Sequence, residues 1–239
     1  MRPFSRLICV LAITTAPLLA DPFTVTVTRF GTCLVLSNCQ QTYTGTNSLT
    51  FSTVVGELPT GLFSASGTVT ETDNGGAVFL SLTDLTVQGI SGGLTSPPAI
   101  PGGIEIVSGG RVVSLGGVSG FASLNGQYQG GISYDELNLR AQIGGLTVGF
   151  VDAGVVTNQP SPVPFSLFDA RSYPDIPVAN KLIGTLNFDV APGDGFYLPG
   201  SAEAFAEPIP EPPTLSMLAS AIIGTAASLV RSRRLSKQS

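Results

Sequence analysis

The 239-residue chain is 43% hydrophobic and only 11% charged, with 29 Gly, 18 Pro, no His and no Trp, a length and composition that suit one globular domain and exclude a solvated disordered polymer. All 16 acidic residues fall between Asp21 and Glu211, where only Arg29, Arg111, Arg140, Arg171 and Lys181 oppose them, so the centre carries a net charge of −11 and repels nucleic-acid phosphates. The remaining basic residues, Arg2, Arg6, Arg231, Arg233, Arg234 and Lys237, sit at the two ends, a distribution that suggests membrane topology.

Arg2 and Arg6 precede an apolar stretch from Leu7 to Leu19, which ends in Ala20 before Asp21 and Pro22. A charged n-region, an h-region of this length and a small residue at the cut predict a signal peptide over residues 1–20 and export of the remaining chain. Leu18 occupies the first small-residue position of an A-x-A site, which lets the cut shift by a few residues. Cys9 lies within the h-region and leaves with it. Cys33 and Cys39 remain, an even pair in an exported chain that predicts a disulfide closing a short loop, worth about 2 kcal/mol in the chain-entropy model; two free thiols are the alternative.

Residues 21–201 read as a β-rich ectodomain. Within Tyr134 to Ile143, Leu137, Leu139, Ala141 and Ile143 alternate with Glu136, Asn138, Arg140 and Gln142. From Lys181 to Val190, Leu182, Leu186, Phe188 and Val190 share a face with Gly184, and Thr185, Asn187 and Asp189 take the other. Both predict half-buried strands. Further strands are predicted at Phe23 to Phe30, Leu49 to Val55, Leu62 to Thr72, Ala77 to Gln88, Gly103 to Val107, Arg111 to Leu115 and Leu146 to Val151. No comparable stretch between the two ends has helical periodicity.

Glycine pairs at 75–76, 92–93, 102–103, 109–110, 116–117, 130–131 and 144–145 punctuate these strands and predict tight turns. The fold class expected is all-β, an antiparallel β-sandwich or barrel-like ectodomain. The seven- and fourteen-residue intervals among the pairs from 102 to 144 leave a β-helix as the alternative. Pro160, Pro162 and Pro164 predict a stiff edge loop, and Pro174 and Pro177 another. Residues 202–213 read as a Pro/Glu/Ala spacer too polar to pack.

Chemistry is sparse. Without histidine there is no Ser-His-Asp triad, no Cys-His pair and none of the usual catalytic zinc sites, and no GxxxxGK[ST] loop occurs. A glycosidase needs only two carboxylates, but Asp135 and Glu136 are adjacent and would face opposite sides of a strand. Glu71 with Asp73, and Asp189 with Asp194, lie beside turns without the spacing of a calcium loop, so no metal and no cofactor are expected. Tyr128, Tyr134, Tyr173 and Tyr197 are the candidates for stacking on sugars.

Beyond Pro210-Glu211-Pro212-Pro213, residues 214–230 run without a charge to Arg231, Arg233 and Arg234. As a helix, those 17 residues would span about 26 Å against a hydrocarbon core of about 30 Å, a minimal transmembrane segment. The arginines would stay on the cytoplasmic side, with 231–239 as a basic tail, and the prolines would mark the start of the helix.

This three-part order resembles the PEP-CTERM sorting signal of Gram-negative bacteria that make extracellular polysaccharide. The resemblance covers Ile209 to Ser239 and implies nothing about the fold before it. It implies that Pro210, Glu211 and Pro212 are the tripeptide recognised by an exosortase, a membrane-embedded cysteine protease. The segment 214–230 would then be a transient anchor, and Arg231, Arg233 and Arg234 the stop. An Ala/Ser-rich helix, Ser232 within the basic run and five residues after Arg234 depart from the family pattern.

The expected function is that of a non-enzymatic cell-surface or matrix protein, exported across the inner membrane of a Gram-negative-type bacterium and cleaved by an exosortase. A glycan-binding module associated with extracellular polysaccharide is the alternative reading, and a carboxylate-dependent glycosidase the next.

Overall fold

Where the sequence alternates with period two, the backbone is extended and successive side chains point to opposite faces. The computed structural model describes residues 21–31, 33, 36–57, 61–90, 99–129, 137–154 and 163–210. Among them, twelve strands occur in chain order: β1 (Phe23–Arg29), β2 (Gln40–Gly45), β3 (Ser48–Glu57), β4 (Gly61–Asp73), β5 (Val78–Ile90), β6 (Ile100–Ser114), β7 (Gly117–Gln129), β8 (Leu137–Ile143), β9 (Leu146–Asp152), β10 (Val163–Pro174), β11 (Val178–Val190) and β12 (Gly195–Pro208). One short helix, α1 (Leu36–Cys39), lies between β1 and β2.

The strands form two six-stranded antiparallel sheets, ordered β2-β1-β6-β11-β8-β9 and β10-β7-β12-β5-β4-β3. The chain passes from one sheet to the other after β2, β5, β6, β7, β9, β10 and β11, so the two sheets are assembled together. Their inner faces share one apolar core. Leu182, Leu186, Phe188 and Val190 of β11 are buried against residues of the second sheet such as Leu80, Leu82 and Ala204. Phe188 meets Phe63 of β4 edge-on at 5.1 Å and Phe196 of β12 at 5.4 Å, a T-shaped geometry that aromatic pairs favour. Each fully buried Phe contributes roughly 1.5–3 kcal/mol through removal from water.

Glycine does two different jobs here. Gly144 and Gly145, with φ of 55° and 84°, form the expected tight turn between β8 and β9. Gly102, Gly103, Gly109 and Gly110, expected as turns, lie inside β6 instead. A side chain at Gly102 would come within 2.7 Å of the rings of both Phe63 and Phe188, so the position admits no Cβ. The glycine intervals therefore mix a packing site, a bulge and turns, and the two antiparallel sheets are not the coils of a β-helix.

At 109–110 the cause is a bulge. Arg111 pairs with Lys181 and Val107 with Ile183, so Ser108, Gly109 and Gly110 stand opposite Leu182 alone. Ser108 Oγ accepts the Leu182 N–H at 2.9 Å and donates to the Gly110 carbonyl at 2.7 Å, restoring what the ladder loses there.

Four strands escape the periodicity: β2, β7, β10 and β12. On β7, small residues and Gly120 and Gly126 dilute the apolar alternation. Pro164 lies within β10 rather than in a loop, and β10 is an edge strand, where a missing N–H is tolerated. The largest correction concerns residues 202–208. They belong to β12, a central strand flanked by β5 and β7, with Ala202, Ala204 and Ala206 buried, and are not part of a spacer. Pro199 and Gly200 are absorbed by a bulge, where the register with β5 shifts between Leu198 and Ser201.

Both ends of the described body lie at the same end of the sandwich. Pro208 pairs with Val118, and the Ile209 N–H donates to the Gly117 carbonyl at 3.0 Å. Pro208 also lies beside Gly76, in the β4–β5 turn, and Asp21 packs on Gly109 in the β6 bulge.

Candidate functional site

The outer face of the second sheet is built mainly from short polar side chains, and four phenylalanines interrupt it. On β12 the alternation is inverted relative to ordinary burial: Ala202, Ala204 and Ala206 point inward, while Glu203, Phe205 and Glu207 point outward. Register places Phe205 directly between Phe79 of β5 and Phe121 of β7. Their ring centroids lie 6.4 Å (Phe79–Phe205), 5.2 Å (Phe121–Phe205) and 6.5 Å (Phe79–Phe121) apart. Phe168 of β10 continues the patch at 5.3 Å from Phe121 and is 67% exposed.

Hydroxyls and carboxylates frame the rings. Glu203 accepts hydrogen bonds from Ser201 Oγ (2.6 Å) and Ser123 Oγ (3.0 Å), Glu207 accepts one from Ser119 Oγ (3.4 Å), and Ser166 Oγ donates to Asn125 Oδ1. Partly exposed rings beside oriented hydrogen-bonding groups suit a ligand with an apolar face and a polar edge. Glu203 and Glu207 stand four residues apart on one strand, about 14 Å, outside the separations of about 5–9.5 Å that glycosidase pairs use.

The tyrosines are not brought together. Tyr173 is half-buried, and its hydroxyl donates to the Thr147 carbonyl at 2.9 Å, a tie between β10 and β9. Tyr197 faces outward on β12 beyond the Pro199–Gly200 bulge from Phe205. Tyr128 lies on β7, opposite Val163 and Phe196. Tyr134, Asp135 and Glu136 lie outside the described residues.

Of the two carboxylate pairs beside turns, Glu71 and Asp73 both abut the β6 bulge at Gly110, whereas Asp189 and Asp194 separate. Glu71 reaches across from β4 to the β6 bulge and accepts the N–H groups of Gly109 (Oε2, 3.0 Å) and Gly110 (Oε1, 2.9 Å). Asp73 Oδ1 caps its own turn by accepting the Gly75 N–H at 3.0 Å. Asp189 stands on the outer face of β11, whereas Asp194 is buried in a turn. That turn is Ala191-Pro192-Gly193-Asp194, with Pro setting one φ, Gly193 at φ +88° and the Asp194 N–H closing on the Ala191 carbonyl at 3.0 Å. Among the described residues, no group of three or more His, Cys, Asp or Glu could hold a metal ion.

Asp194 Oδ2 is buried with no hydrogen-bond partner among the described residues, and desolvation by burial raises its pKa from the ordinary 3.8. The folded protein thus holds this proton to higher pH than the unfolded chain does. The stability linked to that proton is complete below about pH 3.8 and is lost as pH rises through the folded value. Asp194→Asn is expected to remove this part of the pH dependence, so that its stability relative to the parent increases from pH 4 to pH 7 in urea denaturation. A constant difference across that range would show that the carboxyl titrates normally.

Cys33 and Cys39 form the disulfide expected, with their Cα atoms 6.3 Å apart, and close the loop that contains α1. Pro210 is exposed just beyond β12. Residues 1–20, Glu211, Pro212, the segment 214–230 and the tail with Arg231, Arg233 and Arg234 lie outside the described residues. Among the described residues, no helix is long and apolar enough to cross a membrane. Comparison with known proteins finds no matching family model and no match among curated proteins.

Proposed function

We propose that this chain is an exported, non-enzymatic surface or matrix protein of a Gram-negative-type bacterium, held briefly by residues 214–230 and cut by an exosortase at Pro210-Glu211-Pro212. The three-part order of tripeptide, apolar segment and arginines supports this reading. The observation that carries it furthest is that Pro210, the first residue of the tripeptide, stands exposed beyond the end of β12. Strand β12 ends at Pro208, Ile209 makes a last hydrogen bond to Gly117, and Pro210 stands exposed. A protease approaching Pro210 meets an exposed residue beyond the last paired position of β12.

The intact mass of the mature protein from fractionated cells, with and without the exosortase, tests the proposal. The product should lack the signal peptide and end near Pro210 to Pro213 when the exosortase is present, and retain Ser239 when it is absent. A product that ends at Ser239 in both strains and resides in the inner membrane would replace sorting with a plain tail anchor.

The phenylalanine patch favours a second reading, in which the ectodomain binds a neutral face of extracellular polysaccharide. Sugar rings present apolar C–H faces to aromatic side chains and hydroxyl edges to groups such as Glu203 and Ser123. Replacing Phe121 and Phe168 together by Ala is expected to weaken saturable polysaccharide binding by about tenfold or more, the equivalent of about 1.4 kcal/mol. Binding that survives the double replacement would place the ligand elsewhere.

A further inference from the structure

The end of the sandwich from which the chain leaves toward residues 211–239 carries exposed apolar side chains on two adjacent turns. Leu115, in the β6–β7 turn, is 77% exposed, Val113 just before it 59%, and Ile176, in the β10–β11 turn, 40%. These turns are not independent. The Asp175 N–H donates to the Gly116 carbonyl at 3.1 Å, so the two tips are held side by side. The neighbouring Gly117 carbonyl accepts the Ile209 N–H, which brings the departing chain to the same tip.

Only four peptide steps separate Pro210 from Thr214, a reach of at most about 14 Å even when fully extended. With 214–230 in a bilayer, the tips that carry Leu115 and Ile176 cannot stand far above its surface. Charge at this end has both signs: exposed Asp175 adjoins Ile176 and Asp21, Asp73 and Glu207 lie nearby, and only the basic pair suits lipid phosphates. Arg111 and Lys181 are directly paired across β6 and β11, on the strands that run to these tips. They are two of the five basic residues between the chain's ends, and neither has an ion pair among the described residues. Arg111 stands four residues, about 13 Å, behind Leu115, a position suited to headgroup phosphates while the apolar tips enter the interface.

Resting on the anchor reading above, we infer that this end of the ectodomain is a bilayer-contacting surface. Leu115 and Ile176 dip into the membrane interface beside the cleavage segment, and Arg111 and Lys181 face the lipid phosphates. The contact holds the Pro-Glu-Pro segment at the depth where a membrane-embedded protease works and fixes which side of the sandwich faces outward. Once the anchor is cut, two or three apolar side chains are too few to retain the protein, and the surface releases.

The absence of tryptophan makes the test direct, since each introduced Trp is the sole one in the chain. Anchored protein, purified from cells lacking the exosortase, is reconstituted into phosphatidylethanolamine and phosphatidylglycerol vesicles with brominated acyl chains. Leu115→Trp and Ile176→Trp are compared with Phe168→Trp, six residues along β10 from the Pro174 end, about 20 Å away. The two tip variants should be quenched at least about twofold more than Phe168→Trp, with blue-shifted emission. Equal, weak quenching at all three sites in protein that still floats with the vesicles would overturn the surface and leave the anchor intact. Protein that fails to float would overturn the anchor, and with it this inference.

Discussion

Gly149→Ala is expected to destabilise the folded protein by about 4 kcal/mol or more, read as a shift of the urea midpoint, because the added methyl would meet backbone rather than movable side chain. A Cβ at Gly149 would lie 2.1 Å from the Ala122 nitrogen and 2.5 Å from the Phe121 carbonyl carbon, both in β7, and 2.9 Å from the Asp169 carbonyl oxygen in β10. Here β9, the edge of the first sheet, crosses directly over the edge of the second. Asp169 Oδ2 completes the join by accepting the Phe150 N–H at 2.9 Å, while holding Arg171 Nε at the same distance. An edge strand covered in this way offers fewer free hydrogen-bonding groups to another chain.

Gly145→Ala provides the contrast. Its φ is +84° but nothing lies within 4 Å of a Cβ there, so only backbone strain is added, costing about 1 kcal/mol. Similar losses at the two positions would mean that close approach at Gly149 is not what limits it.

Glu71→Ala should cost about 3–5 kcal/mol, since two charge-assisted hydrogen bonds are lost and two N–H groups of the β6 bulge are left without their acceptor. Glu71→Gln keeps one carbonyl acceptor and should lose roughly half as much. The carboxylate acts as a latch. It belongs to β4 of the second sheet, but its two acceptors are spent on β6 of the first, at a bulge whose ladder bonds are interrupted. Denaturation curves of the two variants check the order; a Gln variant as unstable as the Ala variant would mean that charge, rather than acceptor geometry, secures the bulge. With both oxygens accepting N–H groups, the Glu71 carboxylate is committed to the bulge.

How far the fold was legible depended on whether alternation coincided with burial. On β11 the apolar and polar faces predicted from sequence are the inner and outer faces observed, with Leu182, Leu186, Phe188 and Val190 buried. On β8 the same holds, except that Asn138 is 3% exposed although it faces outward. It is covered there and accepts a hydrogen bond from Asn187 Nδ2 at 3.2 Å. On β12 the signal misleads. Small Ala residues fill the inner face opposite Gly184 of β11, where a side chain at Gly184 would make ordinary contact with the Ala204 methyl at 3.4 Å. The one large apolar residue in Ala202 to Pro208, Phe205, therefore points outward, and a segment with so little apolar alternation reads as a spacer.

The phenylalanine patch was illegible for a related reason. Phe79, Phe121, Phe168 and Phe205 come from four strands spread over more than half of the chain, with no local pattern linking them. Only the register of β5, β12, β7 and β10 makes them adjacent.

Local sequence was enough for the all-β class, the in-and-out faces of the regular strands, the tight turn at Gly144-Gly145 and the pairing of Cys33 with Cys39, because each depends on local conformation or on residues close in the chain. It was not enough for which strands are neighbours, why glycines lie inside β6 and β9, how Glu71 is used or where the aromatic patch forms. Those features depend on the approach of backbones and side chains distant in sequence, and the same residue pattern is compatible with other pairings until the two sheets close on a common core.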